Sequence, residues 1–507
     1  MEQPVMSLAA AVAQLTVATA NMTDTDLGQP YRWGAHQEGA RFALLGTMHE
    51  LRELAVRLAA LRRQAGPPAS RAQHALGQYH AAYRDLQALL LGVTAEQYER
   101  PPAPGEWPLR YVYGHMVGAE RHFFALVHYG LRRQREGGEL PVALPDGEAD
   151  RLVGPFEGFR QIMDSGTQAE LAAYHALNHD RALAEFAGIS DEEIDGPSIW
   201  WEGEAYTLEY RLHRMDAHLR QHTVQAEKTL DAVRGTPNEA KRLLRLVYAA
   251  LAEVENAVIG AVGLGAVEQA ELAIRIVQRA EEVTAAVGKA QDFIAAVKQG
   301  EREQVVELLS VRPGLANATD EHGIPAVRLA VYYGQADIAG LLADGGAELE
   351  IWDGAALGRL DLIEAQFKGW GDFILNEYSR DGYTPLGLAA FFGHEDATRW
   401  LIDHGAKVDA VSRNAMQVQP LHSACAGNHT AIVRLLLAAG ADPNAVQQDG
   451  FRPLHAAAQN GNLELASLLL EHGADPTLTD SHGRTPRRLA EESGHSAIAM
   501  RLSNTVT

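Results

Sequence analysis

The chain has 507 residues, enough for two or three domains that each bury a core, and carries a formal net charge of −22. A surface of that sign repels phosphate backbones and no run of Lys or Arg interrupts it, so neither nucleic acid nor an anionic membrane is an expected partner. The single cysteine, Cys425, leaves no intramolecular disulfide and no cysteine-based zinc site, and gives no sign of an oxidising compartment.

The segment 6–20, MSLAAAVAQLTVATA, is apolar and ends in an A-x-A pattern, but Glu2 and no Lys or Arg precedes it, so export is not expected. No other stretch approaches the roughly 18 uninterrupted apolar residues of a membrane helix. The expectation is a soluble, cytoplasmic protein. A helix at 37–63 dominates an N-terminal helical extension, 1–66. In RAQHALGQYHAAYRDLQALLLG (71–92), Leu76, Tyr79, Tyr83, Leu86 and Leu90 fall at steps of three and four, the stripe of a helix packed in a bundle. The proline-rich segment 93–108 breaks it, and Pro108 is well placed as the first residue of the next helix, 108–130. Further helices are expected at 167–187 and, after a turn around Gly196 and Pro197, at 204–233. These make a four-helix bundle over 67–235. Two amphipathic helices fill a spacer, 236–289. Their stripes need a partner, and capping the bundle, joining the N-terminal helix or leading to the repeats all satisfy that need.

From 290 to 507 the chain repeats. GYTPLGLAAFFGH (382–394), QPLHSACAGNH (419–429), GFRPLHAAAQNGN (450–462) and GRTPRRLAEESGH (483–495) align, with prolines 35, 33 and 33 apart. HGAKVDA, AGADPNA and HGADPTL recur in step. These phrases resemble the ankyrin repeat. Counting turns back from Gly494 through Gly461, Asn428, Gly393, Gly358 and Gly334 to Gly300 gives about seven units, one shortened near 351–362 where the interval falls to 24. The fold class is therefore all-α: a four-helix bundle plus an ankyrin-repeat solenoid. A solenoid presents an extended face to a protein partner. The resemblance implies contacts from hairpin tips, here Arg413, Asn414, Gln417, Gln447, Gln448, Phe451 and Arg452, and from the inner helices, here Phe391 and Phe392. His422 and His455, third in the PLH phrase, are expected to brace the hairpins.

Twenty-one histidines give two pairs at i,i+4, His175/His179 and His218/His222. Such spacing sets both imidazoles on one helix face, but a metal site needs a third ligand from elsewhere. His115, mid-helix in YVYGHMVGAERHF, is the candidate. GEWPLRYVYGHMVGAE (105–120), with Trp107, followed about a hundred residues later by HLRQHTVQ (218–225), resembles the DinB-like superfamily. That resemblance covers about 72–232 and implies a bacterial-type bundle in which His115, His218 and His222 hold a divalent ion (Zn, Ni or Fe(II)) with coordination positions left open. It also implies thiol-dependent S-transferase-like chemistry, with a small thiol as co-substrate and no protein nucleophile.

His175 and His179 lie outside that pattern, and His122 and His213 near it are unassigned. Asp216 and Glu120 are the carboxylates nearest the ligands in sequence, candidates to orient a ligand N–H. Trp200, Trp201, Glu202 and Tyr206 precede the last ligand helix and are candidates to line a pocket. No phosphate loop, Ser-His-Asp order or dinucleotide fingerprint is present. Two functions follow: a metal-dependent enzyme whose repeats recruit a partner, or a non-enzymatic scaffold whose bundle is structural.

Overall fold

A computed structural model describes residues 6–33, 36–66, 68–199 and 206–503. The chain divides into two compact units, Met1–Val287 and Gly288–Thr507. Both are helical; among the described residues the one sheet is a hairpin, β1 (Pro30–Trp33) antiparallel to β2 (His36–Gly39).

The first unit runs through α1 (Leu8–Thr19), α2 (Asp24–Gly28), α3 (Phe42–Ala65), α4 (Arg71–Leu89), α5 (Ala95–Glu99), α6 (Leu109–Arg135), α7 (Glu148–Val153), α8 (Phe156–Ser165), α9 (Gln168–Phe186), α10 (Leu208–Arg234), α11 (Glu239–Val258) and most of α12 (Ala266–Gln299). Local chemistry fixes where the bundle helices start. Ser70 and Gln73 form a capping box on α4, Thr167 and Glu170 another on α9, and the Thr207 hydroxyl accepts from the Tyr210 amide to open α10. Pro108 caps α6 from just outside it rather than starting it. Gly235, at φ 75°, ends α10.

The stripe Leu76, Tyr79, Tyr83, Leu86 and Leu90 is buried in one core with Phe124 of α6, Phe186 of α9 and Leu219 of α10. A second core joins Leu15 of α1, Leu51 of α3, Leu251 of α11 and Ile276 of α12. The two helices after the bundle therefore complete the N-terminal helical layer, and α11 also packs on α4. The apolar 6–20 segment is the packed α1, with Leu8, Val12 and Leu15 inward. No described helix is long and apolar enough to cross a membrane.

The second unit opens with the last turns of α12 and α13 (Arg302–Val311), followed by the pairs α14 (Ala326–Tyr332) and α15 (Ala336–Asp344), α16 (Ile351–Leu357) and α17 (Leu360–Trp370), α18 (Pro385–Phe392) and α19 (Glu395–Asp403), α20 (Pro420–Ala426) and α21 (Thr430–Ala438), α22 (Pro453–Asn460) and α23 (Leu463–Glu471), and α24 (Pro486–Glu492) and α25 (Ser496–Ser503). His422 braces its hairpin: its Nδ1 accepts from the Gln419 amide and its Nε2–H donates to the Ala445 carbonyl, 3.1 and 3.0 Å. His455 repeats this with Arg452 and Arg484. At the shortened unit the apolar core parts into two clusters, one up to Leu342 and one from Ile351. A buried ion cluster bridges the break: Arg328 of α14, 1% exposed, pairs with Asp353 of α16 at 2.8 Å and with Asp381 before α18 at 3.0 Å.

Candidate metal centre

Helices α6 and α10 pack side by side, and their contact brings the distant histidines together. One ring nitrogen from each of His115, His218 and His222 lies within 4.8 Å of the others. Ring centroids are 5.2 Å apart for His115 and His218, 4.6 Å for His115 and His222, and 4.5 Å for His218 and His222. The i,i+4 step of α10 supplies the last distance. Gly114, beside His115, lets α8 approach α6: a Cβ there would collide with Met163 of α8.

The cluster is graded from core to solvent. His218 is 7% exposed, His222 half-buried and His115 exposed, with the half-exposed Trp107 ring 5.9 Å from it. Burial, then His222, His115 and Arg214, pulls the His218 imidazolium down to about 3. Burial and His222 lower His115 in the same direction. Neutral rings with free lone pairs are what a divalent cation requires. The buried Nδ1 of His218 has no hydrogen-bond partner, an unmet polar atom of the kind a missing ligand leaves. His222 Nδ1–H donates to Gln225 Oε1 at 2.8 Å. This donor set fits a divalent ion.

A cavity of about 490 Å³ opens beside His218, lined by Ala119, His122, Phe123, Leu126, Leu144 and Arg211 among others. Arg211 is buried, donating to the Ser198 hydroxyl at 3.1 Å and the Ile199 carbonyl at 2.6 Å, with its guanidinium over the Tyr206 ring. Tyr206 thus reaches the cavity wall through Arg211. Trp200, Trp201 and Glu202 lie outside the described residues.

The two carboxylates singled out by sequence have other partners. Asp216 pairs with Arg220 at 2.7 Å. Glu120 is buried where it accepts from the Tyr79 hydroxyl at 2.8 Å and from His175 Nε2–H at 2.7 Å. His175 and His179 lie outside the triad: His175 belongs to the Glu120 cluster, whereas His179 Nε2 meets His80 Nδ1 at 2.9 Å and His80 Nε2–H donates to Glu255, itself held by Arg84. His213 is exposed on α10. The sequence phrase HLRQHTVQ contains Gln225, but nothing in the sequence gave that glutamine a role, and the pocket expected near Trp200 and Trp201 has His122, Phe123 and Leu126 of α6 among its described lining.

The family model described as the DinB superfamily matches residues 78–226, and that of ankyrin repeats matches 351–447 and 421–505. The chain joins a DinB superfamily domain to ankyrin repeats. It is similar to alpha-latrocrustotoxin-Lt1a of Latrodectus tredecimguttatus, 29% identical over 32% of this chain and 10% of the toxin. It is similar to palmitoyltransferase Hip14 of Drosophila melanogaster, 36% identical over 18% of this chain and 13% of the transferase, and to rabankyrin-5 of Mus musculus, 40% identical over 12% of this chain and 5% of the relative. The chain spans only a small part of the length of these relatives.

In the ankyrin repeats, several residues singled out for partner binding also work inside the stack. Asn414 Nδ2 donates to the Asp381 carbonyl at 2.9 Å, and the Arg452 guanidinium donates to the Gly450 and Thr479 carbonyls. Phe392 packs against Tyr332, and Phe451 against His455. Arg413 is exposed and lies over the Tyr378 ring at 4.0 Å; Phe391 is 42% exposed and Gln447 half-buried.

Proposed function

We propose that the DinB domain is a metal-dependent enzyme of the thiol S-transferase type, with His115, His218 and His222 as the ligands of one divalent ion, and that the ankyrin repeats bind a protein partner. The convergence of three imidazoles from two helices about a hundred residues apart carries this reading. A bound Zn, Ni or Fe(II) would supply Lewis acidity, lowering the pKa of a coordinated water or thiol.

The chain's own residues define the rest. His115 is exposed, so a small thiol reaches the triad from solvent past Trp107. The cavity beside His218, mostly apolar with polar groups at its wall, suits the second substrate and limits water around it. Cys425 does not compete as the nucleophile: it is fully buried among the repeats and burial pushes its thiol up. For the repeats, Phe391, Arg413 and Gln447 are the side chains of the sequence set that best serve a partner.

Elemental analysis of the purified full chain tests the metal reading. The wild type should retain about one equivalent of a divalent metal, as a three-histidine site does, and the His115→Ala/His218→Ala/His222→Ala variant should retain none. Equal metal content in the two proteins, or none in the wild type after supplementation with each of the three metals, leaves the scaffold reading.

A further inference from the structure

The geometry points to Gln225 as a positioning residue that fixes which nitrogen of His222 faces the ion. The inference rests on the metal reading above. A neutral imidazole carries its proton on one of two nitrogens, and only the other can ligate; the hydrogen bond made by the protonated nitrogen decides which. Gln225 follows His222 by three residues on the same face of α10, and its Oε1 lies 2.8 Å from Nδ1. An amide oxygen only accepts, so in the neutral ring this contact places the proton on Nδ1 and leaves the lone pair on Nε2.

Neither of the other two ligands has this help. Among the described residues no side-chain hydrogen bond is made by His115 or His218, and the buried Nδ1 of His218 is without a partner. His222 is therefore the one ligand whose donor atom is chosen before an ion arrives, and the choice removes a tautomer change from the cost of binding. Gln225 itself is exposed, so its replacement does not disturb the core.

Three variants of the full chain separate the possibilities. Gln225→Glu keeps an acceptor, Gln225→Leu offers nothing, and Gln225→Lys offers only donors. Zinc affinity is read by competition with a chromophoric chelator, and the His222 tautomer by imidazole ¹⁵N shifts of the metal-free protein. The wild type and Gln225→Glu should show the Nδ1–H form and bind zinc within a few-fold of each other. Gln225→Leu should lose about 10–100-fold in affinity, the usual effect of losing an outer partner, and Gln225→Lys at least as much, while the metal-free thermal midpoints stay together. Equal affinities in all four proteins, or equal losses in Gln225→Glu and Gln225→Leu, overturn the role. A wild type that binds no zinc yet shows the Nδ1–H tautomer defeats the metal reading alone. An Nε2–H tautomer in the wild type defeats the role of Gln225 whatever the affinity.

Discussion

The three histidines proposed as ligands differ in what replacing each would cost. His218 sits in the core against Phe123, with ring centroids 5.6 Å apart, whereas His115 faces solvent. A solvent molecule can take the place of an exposed ligand more readily than that of a buried one. His115→Ala should therefore keep weak metal binding and His218→Ala should lose it, a difference of at least tenfold in zinc affinity by chelator competition. Equal losses would show that the grading from core to solvent has no consequence. The grouping of His115, His218 and His222 was legible because GEWPLRYVYGHMVGAE and HLRQHTVQ resemble the DinB-like superfamily; the i,i+4 spacing alone fits His175 and His179 equally well. The partners of Asp216 and Glu120 were not, because nearness in sequence says nothing of which face of a helix a carboxylate occupies: Glu120 is five residues from His115 and points into the core toward α9.

Between elements, two buried polar assemblies hold helices in register. The chain Arg84–Glu255–His80–His179 ties α4, α9 and α11 together. Burial, then His80, His175 and Arg84, holds the His179 imidazolium far below its ordinary range, and the Tyr79 and Tyr83 rings pack against it. Because its folded pKa is depressed, the unfolded chain binds the extra proton as pH falls below about 6.5, and stability is lost there. Urea midpoints for the bundle should fall between pH 7 and pH 5, and fall less in His179→Gln; parallel curves for the two proteins would remove His179 as the cause. In the repeats, Asp353→Ala would leave the Arg328 guanidinium buried beside one fewer carboxylate. Breaking such a pair costs about 3–5 kcal/mol, so hydrogen exchange should speed up across 326–381 and leave 450–503 unchanged. Helix positions were legible from periodicity and caps to within a few residues, as with 71–92 against Arg71–Leu89. The β1–β2 hairpin and the short α7 and α8 were not, since segments of four to ten residues carry too few apolar positions to show a period. The partner of α11 was equally hidden, because an apolar stripe shows that something covers it but not what.

For the whole molecule, two units with separate cores mean that unfolding is not a single two-state event, and a melting curve of the full chain should contain more than one transition. A metal that binds the folded bundle and not its unfolded chain stabilises the bundle by mass action, about 4 kcal/mol at a thousandfold excess over the dissociation constant. The repeats contribute none of the three proposed ligands, which are residues 115, 218 and 222. Zinc should therefore raise one calorimetric transition of the full chain by several degrees and leave the other in place, and the triple-histidine variant should show neither change. A rise in both transitions would mean that folding of the repeats is linked to the metal; no rise in either, with zinc bound at about one equivalent, would mean that the site forms equally well in the unfolded chain. The second outcome conflicts with the geometry, because His115 and His218 are 103 positions apart in the sequence and only the packing of α6 on α10 brings their rings to 5.2 Å.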